Sequence, residues 1–124
     1  MNKIIWAAQI ALAAVFLMAG AMKLIIPKAE MAKNMPWVED YSETEVKLIG
    51  TVEVLGAIGV VAPAALKILP FLTPLAASGL ALTMAFAAKM HLGRQEYDAL
   101  PVNAILFLIA IFVAYMRWRS YKIE

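Results

Sequence analysis

The chain has 124 residues, 64% hydrophobic and 16% charged, where soluble domains run nearer half apolar and a quarter charged. With a mean hydropathy of +0.79 it has the composition of a membrane protein. A net charge of +2 carried by scattered basic residues gives no electrostatic footprint for nucleic acid, and no cysteine with a single histidine excludes disulfides, thiolate metal sites, iron–sulfur clusters and a bis-histidine haem from this chain.

After Met1-Asn2-Lys3 the run Ile4 to Ile26 reads as a first span. About 23 residues at 1.5 Å each reach about 34 Å, enough to cross a roughly 30 Å hydrocarbon core. Ala19-Gly20-Ala21 resembles a signal-peptide cleavage site, but the apolar run continues past it, which favours a retained helix. Pro27 opens a short helix with Met31 and Met35 on one side, and Trp37 follows Pro36 where an interfacial anchor would sit. That pattern fits an ordinary extramembrane loop and a segment lying on the membrane equally well.

Ser42-Glu43-Thr44-Glu45 is a capping box, with Ser42 at N-cap and Glu45 at N3. Tyr41 and Val46 occupy the positions of a hydrophobic staple. A second span follows over 46–69. Thr73 as cap and Pro74 at N1 then begin a third span over 74–92, with Gly93 as its C′ residue. Asp98 caps a fourth over 99–117, Pro101 being tolerated in its first turn. Arg117-Trp118-Arg119-Ser120-Tyr121-Lys122 reads as a basic, aromatic interfacial tail. The expected fold is all-α, one membrane domain over 1–124 built as an antiparallel four-helix bundle. Both termini then share a side, which the basic tail assigns to the cytoplasm.

Glu53 lies inside an apolar run, where a lone charge is expensive and marks a functional site with a partner to be named. Lys23, His91, Arg94 and Asn103 are candidate partners. At about 100° per residue, Gln9, Ala13, Phe16, Gly20 and Lys23 share one face of the first helix, and on the second Glu53 shares a face with Ala57, Val60 and Ala64, flanked by Gly50 and Gly56. Met84 shares a face with His91, and Ala110 with Asn103. Small residues on these faces let helices approach closely in lipid. Depth places Lys23, Glu53, His91 and Asn103 in the leaflet opposite the termini. Side chains tilt towards their helix N-terminus, so Lys23 leans inward and Glu53 outward, and the two meet as an ion pair. Lys89 points away from His91 and snorkels to headgroups. Gln9 and Asn103 read first as interhelical hydrogen-bond glue, and the eight methionines as packing rather than as metal or haem ligands.

Several segments carry a family resemblance: Phe16…Ala19-Gly20…Lys23-Leu24, Lys47-Leu48-Ile49-Gly50-Thr51-Val52-Glu53-Val54-Leu55-Gly56-Ala57 and Pro63, then Leu72-Thr73-Pro74-Leu75-Ala76-Ala77, Met84, His91…Arg94-Glu96 and Asn103. With its four spans the chain resembles the DoxX-like small membrane proteins over nearly its whole length. The resemblance implies a bundle in a bacterial inner membrane. Better-known relatives are subunits of quinone-linked oxidoreductases or oxidative-stress complexes, and distant ones are assembly factors. Three readings follow. The first is a non-catalytic accessory subunit without an intrinsic cofactor or metal. It binds a quinone-like or other small amphipathic ligand at a polar cluster drawn from Lys23, Glu53, His91, Arg94, Asn103 and Gln9. The second is an assembly factor recognising a partner helix, and the third a small proton-coupled transporter. The expected partners are the lipid bilayer and either an oxidoreductase subunit or further copies of the chain.

Overall fold

The computed structural model describes residues 1–119. Its helices are α1 (Asn2–Ile25), α2 (Lys28–Met31), α3 (Glu43–Gly59), α4 (Ala62–Leu66), α5 (Leu72–Gly93) and α6 (Leu100–Arg119). Single 3-10 turns cover Pro36–Asp40 and Tyr97–Ala99. Four segments are long and apolar enough to cross a membrane: Asn2–Ile25, Glu43–Leu66, Leu72–Gly93 and Tyr97–Arg119. The protein is an all-α, multi-pass membrane bundle.

The buried residues of α1 are Ile5, Gln9, Leu12, Phe16, Gly20 and Lys23, spaced by three and four as one helical face requires. Val46, Gly50, Glu53 and Ala57 form the matching face of α3, and Asn103, Ala110, Val113, Ala114 and Arg117 that of α6. Large apolar side chains such as Ile10, Leu17, Leu55, Phe86 and Leu108 stay on the outside, where acyl chains solvate them. The helices close a ring in which α1 packs on α3, α3 on α5, α5 on α6 and α6 back on α1. The α1–α3 and α5–α6 contacts are extensive, and the α3–α5 seam is thinner.

The loop after α1 folds back as a small core of its own. Met31, Val38 and Val46 are buried together, with Met35, Trp37 and Tyr41 packed against them. The capping box forms as read: Ser42 Oγ accepts from the Glu45 N–H at 3.1 Å, and Glu45 Oε1 accepts from the Ser42 N–H at 2.9 Å.

Four boundaries differ from the sequence reading. The second span is broken at Val60–Val61 and ends at Leu66. Pro63 has no N–H for the Gly59 carbonyl, so the helix cannot run through unaltered. Thr73 does not cap α5, which begins at Leu72 without a side-chain cap. The Leu72 and Thr73 N–H groups bond instead to the Leu69 and Pro70 carbonyls at 2.9 and 3.1 Å. Gly93 is the last residue of α5, and the left-handed position falls to Gln95 at φ 59. The Glu96 N–H then reaches the His91 carbonyl (2.8 Å) and the Gln95 N–H that of Leu92 (3.1 Å), a Schellman ending. Asp98 lies inside the 3-10 turn that leads into α6. Of the expected basic tail, Ser120, Tyr121 and Lys122 lie outside the described residues.

Candidate functional site

The site begins with two glycines. A Cβ on Gly20 would lie 2.7 Å from the Gly50 carbonyl oxygen, and one on Gly50 would lie 2.8 Å from both the Gly20 carbonyl oxygen and Lys23 Cβ. Only glycine at both positions lets α1 and α3 touch backbone to backbone. Lys23 and Glu53 each follow their glycine by three residues on antiparallel helices, so their Cα atoms are displaced in opposite directions. The tilt of each side chain towards its own N-terminus closes that offset. Lys23 Nζ ends 2.8 Å from Glu53 Oε1, with both side chains under a tenth exposed.

The pair is close but not saturated. Lys23 Nζ is the one donor beside Glu53 Oε1, and no other protein donor among the described residues reaches this buried oxygen. Lys23 also approaches the Ala19 carbonyl at 3.5 Å and lies 5.7 Å from the centroid of the Trp37 ring, a cation–π contact. Trp37 in turn meets Tyr41 edge-on. The loop aromatic expected to anchor at the interface thus covers the ammonium group.

Between this pair and α5 and α6 lies a cavity of about 470 Å³, reached by Lys23, Glu53, Trp37, Met84, His91 and Asn103. Asn103 Nδ2 donates weakly to Met84 Sδ at 3.4 Å, while its Oδ1 is buried with no protein donor. His91 Nδ1 is 2.9 Å from Glu96 Oε1. With Glu96 ionised, Nδ1 carries the proton and donates, which leaves Nε2 as an acceptor in the neutral ring.

Arg94 stands apart from Glu53. Its Nε donates to Glu96 Oε2 at 3.2 Å, and its Nη1 donates to Asp40. It therefore ties the loop after α1 to the loop after α5. Hydrogen bonding to His91 holds the Glu96 carboxyl below its usual 4.5, with Arg94 helping against the loss of water. Bonds to Asp40 and then Glu96 raise Arg94 above its ordinary value.

Gln9 lies 14 residues before Lys23 on α1, about 21 Å away along the axis, and belongs to a second polar cluster in the other leaflet. Its Nε2 donates to the Val60 carbonyl at the α3–α4 break (2.6 Å), and its Oε1 accepts from Arg117 Nε (2.8 Å). Arg117 Nη1 donates to Asn2 Oδ1 at 2.8 Å, and its guanidinium lies 5.5 Å from the Trp6 ring centroid. Arg117 is 2% exposed, so it is an interior residue and not part of an interfacial tail. Its inward phase was readable, since Asn103, Ala110, Ala114 and Arg117 follow at intervals of seven, four and three. Glu96, Asp40, Trp37 and Tyr41 were not assigned to the site from sequence; only the close spacing of His91, Arg94 and Glu96 hinted at the first of them. Among the described residues, no group of three His, Asp or Glu side chains is placed to hold a metal ion.

No curated protein and no solved structure gives a significant match to this chain. The DoxX-like family profile does, over residues 7–113, a stretch that holds both glycines of the α1–α3 crossing, the Lys23–Glu53 pair, His91 and Asn103. The chain belongs to the DoxX-like family.

Proposed function

We propose that the protein is a non-catalytic accessory component of a bacterial inner membrane, its termini cytoplasmic, that binds a quinone-like amphipathic molecule with its polar head at Lys23, Glu53, Asn103 and His91. One observation carries the reading. Asn103 Oδ1 is a buried acceptor without a protein donor, Glu53 Oε1 has only the Lys23 ammonium beside it at 2.8 Å, and both residues reach the same cavity. A buried polar group left unpaired costs about 1–3 kcal/mol, so the bare Asn103 oxygen, beside a carboxylate with lone pairs to spare, favours a guest that brings donors. Lys23 supplies the opposite function, an ammonium whose remaining protons suit a hydroxyl or carbonyl oxygen. The head that satisfies this set carries hydroxyl groups, which for a quinone-like molecule is the reduced, quinol form. The apolar walls contributed by Phe16, Met84 and Leu106 accept its ring. With no cysteine in the chain, turnover of such a ligand would fall to a partner subunit.

The test is binding of decyl-benzoquinol and of the matching quinone to the protein in lipid nanodiscs, by calorimetry. The expected result is tighter binding of the quinol, weakened on the order of tenfold, or about 1.4 kcal/mol, by Asn103→Leu. Equal affinity of wild type and Asn103→Leu, or no binding at all, overturns the reading.

A further inference from the structure

We infer that the ligand is a long-chain amphiphile whose hydrocarbon chain leaves the polar cavity along the α3–α5 seam, crosses the midplane and lies in a second, apolar groove in the opposite leaflet. This inference rests on the head-group reading above and adds the class of ligand and the path of its chain.

A second cavity of about 550 Å³ is lined by Leu55, Gly56, Gly59, Leu72, Ala76 and Gly79 among others, and it shares Val52 with the polar cavity. On α5 the polar cavity is lined by His91, Ala87 and Thr83, and the groove continues through Gly79, Ala76 and Leu72. These six positions follow at intervals of three and four, so they form one uninterrupted ridge of the helix. On α3 the same is true of Leu48, Val52, Leu55 and Gly59. Both openings therefore lie along one slot, and it follows the α3–α5 seam, which with α1–α6 is one of the two thin helix contacts of the ring.

The slot has a polar end and an apolar end. At one lie the Lys23–Glu53 pair and the unpartnered Asn103 oxygen, and beyond Thr83 the groove lining is aliphatic or glycine. From Thr83 to Leu72 the α5 axis rises about 16 Å, the reach of a medium-length chain and far more than a bare ring needs. The glycines keep it open in two different ways. A Cβ on Gly56 would lie 2.5 Å from Leu80 Cδ2, so there the glycine lets Leu80 sink into α3 and form the floor. A Cβ on Gly79 would meet nothing within 4 Å, so there the space lies in the groove itself. A head with hydroxyl donors, joined to an apolar chain of that length, fits both ends at once.

Gly79 makes the test clean, because a larger side chain there fills the groove without touching the packed core. Gly79→Leu in nanodiscs should bind decyl-benzoquinol on the order of tenfold more weakly than wild type, while a benzoquinol lacking the chain binds both proteins equally. Comparing proteins for each probe removes the difference in partitioning between the probes. If the chainless quinol binds and decyl-benzoquinol binds wild type and Gly79→Leu alike, the chain does not use the groove. The inference then fails while the head-group reading stands. If neither probe binds wild type, both fail. Leu75→Trp, at an exposed position lining the same groove, gives the same comparison should Gly79→Leu not be recovered folded.

Discussion

Two buried polar clusters sit at opposite ends of the same bundle, and they are finished differently. At the terminal end, Gln9 uses both of its functions, donating to the Val60 carbonyl and accepting from Arg117, and Arg117 passes a further bond to Asn2. None of these residues lines the polar cavity or the apolar groove. The cluster mends a break: Pro63 interrupts the second span, and an amide from α1 caps a carbonyl left at the interruption. Some polarity is left over there too, in Arg117 Nη2 and Thr73 Oγ1 among the described residues, but neither residue lines the polar cavity or the apolar groove. At the other end, the Lys23–Glu53 pair and Asn103, with its bare oxygen, line a cavity. Buried polarity alone does not tell scaffold from site. Whether the unpaired atoms open onto space does.

The comparison can be broken most directly at the ion pair. Lys23→Met or Glu53→Gln alone should cost ~3–5 kcal/mol, because one charge is left buried without its partner. The double variant should regain much of that loss, since two buried charges exchanged for neutral groups are often tolerated. A double-mutant cycle on unfolding in a fixed lipid mixture measures it. A coupling below about 0.5 kcal/mol, the additivity of independent sites, would sink the pairing.

A smaller effect separates scaffold from site. Gln9→Leu should lose about 1–3 kcal/mol, because the Val60 carbonyl and Arg117 Nε are stranded together, and should leave binding of decyl-benzoquinol unchanged. Asn103→Leu should behave in the opposite way, near neutral in stability because its oxygen is already bare, yet impaired in binding. Equal stability losses for the two variants would erase the distinction.

The smallest effect lies in the loops. The folded-state pKa of Glu96 is depressed, so its contribution to stability is present above the usual 4.5 and is lost as pH falls through its lower folded value. Glu96→Gln should therefore melt below wild type at pH 7, and the two should converge as the solution is acidified past 4.5. A gap that widens on acidification contradicts the assignment. Because Glu96 is solvent-accessible, the difference should be small beside that of the buried pair.

Much of this was legible in the sequence because helical phase is a strict rule in a lipid bundle. The spacing of Gln9, Phe16, Gly20 and Lys23 gave the inner face of α1, and the tilt of side chains brought Lys23 to Glu53 from depth alone. Ser42 and Glu45 marked a helix start that forms atom for atom. Other features were hidden because they depend on tertiary competition. Gln95 adopts the left-handed position two residues after a glycine better suited to it, since that ending places Glu96 over His91. Arg117 reads as a snorkelling terminal cation until its phase is weighed above its charge. The opening of the α3–α5 seam was only half marked, because Gly56 admits Leu80 while Gly79 leaves open space, and which of the two a glycine does depends on the facing helix.

The Gly20–Gly50 crossing also has a mechanical consequence. Backbones so close that neither glycine has room for a Cβ leave α1 and α3 no space to close further, so the two helices move as a single lever. A change in the width of the seam must then come from the α5–α6 pair turning against that lever. During such a motion the distance from Lys23 to Glu53 stays fixed, while Asn103, carried on α6, travels relative to both. The ion pair is thus the stationary jaw of the cavity, and Asn103 is mounted on the moving one.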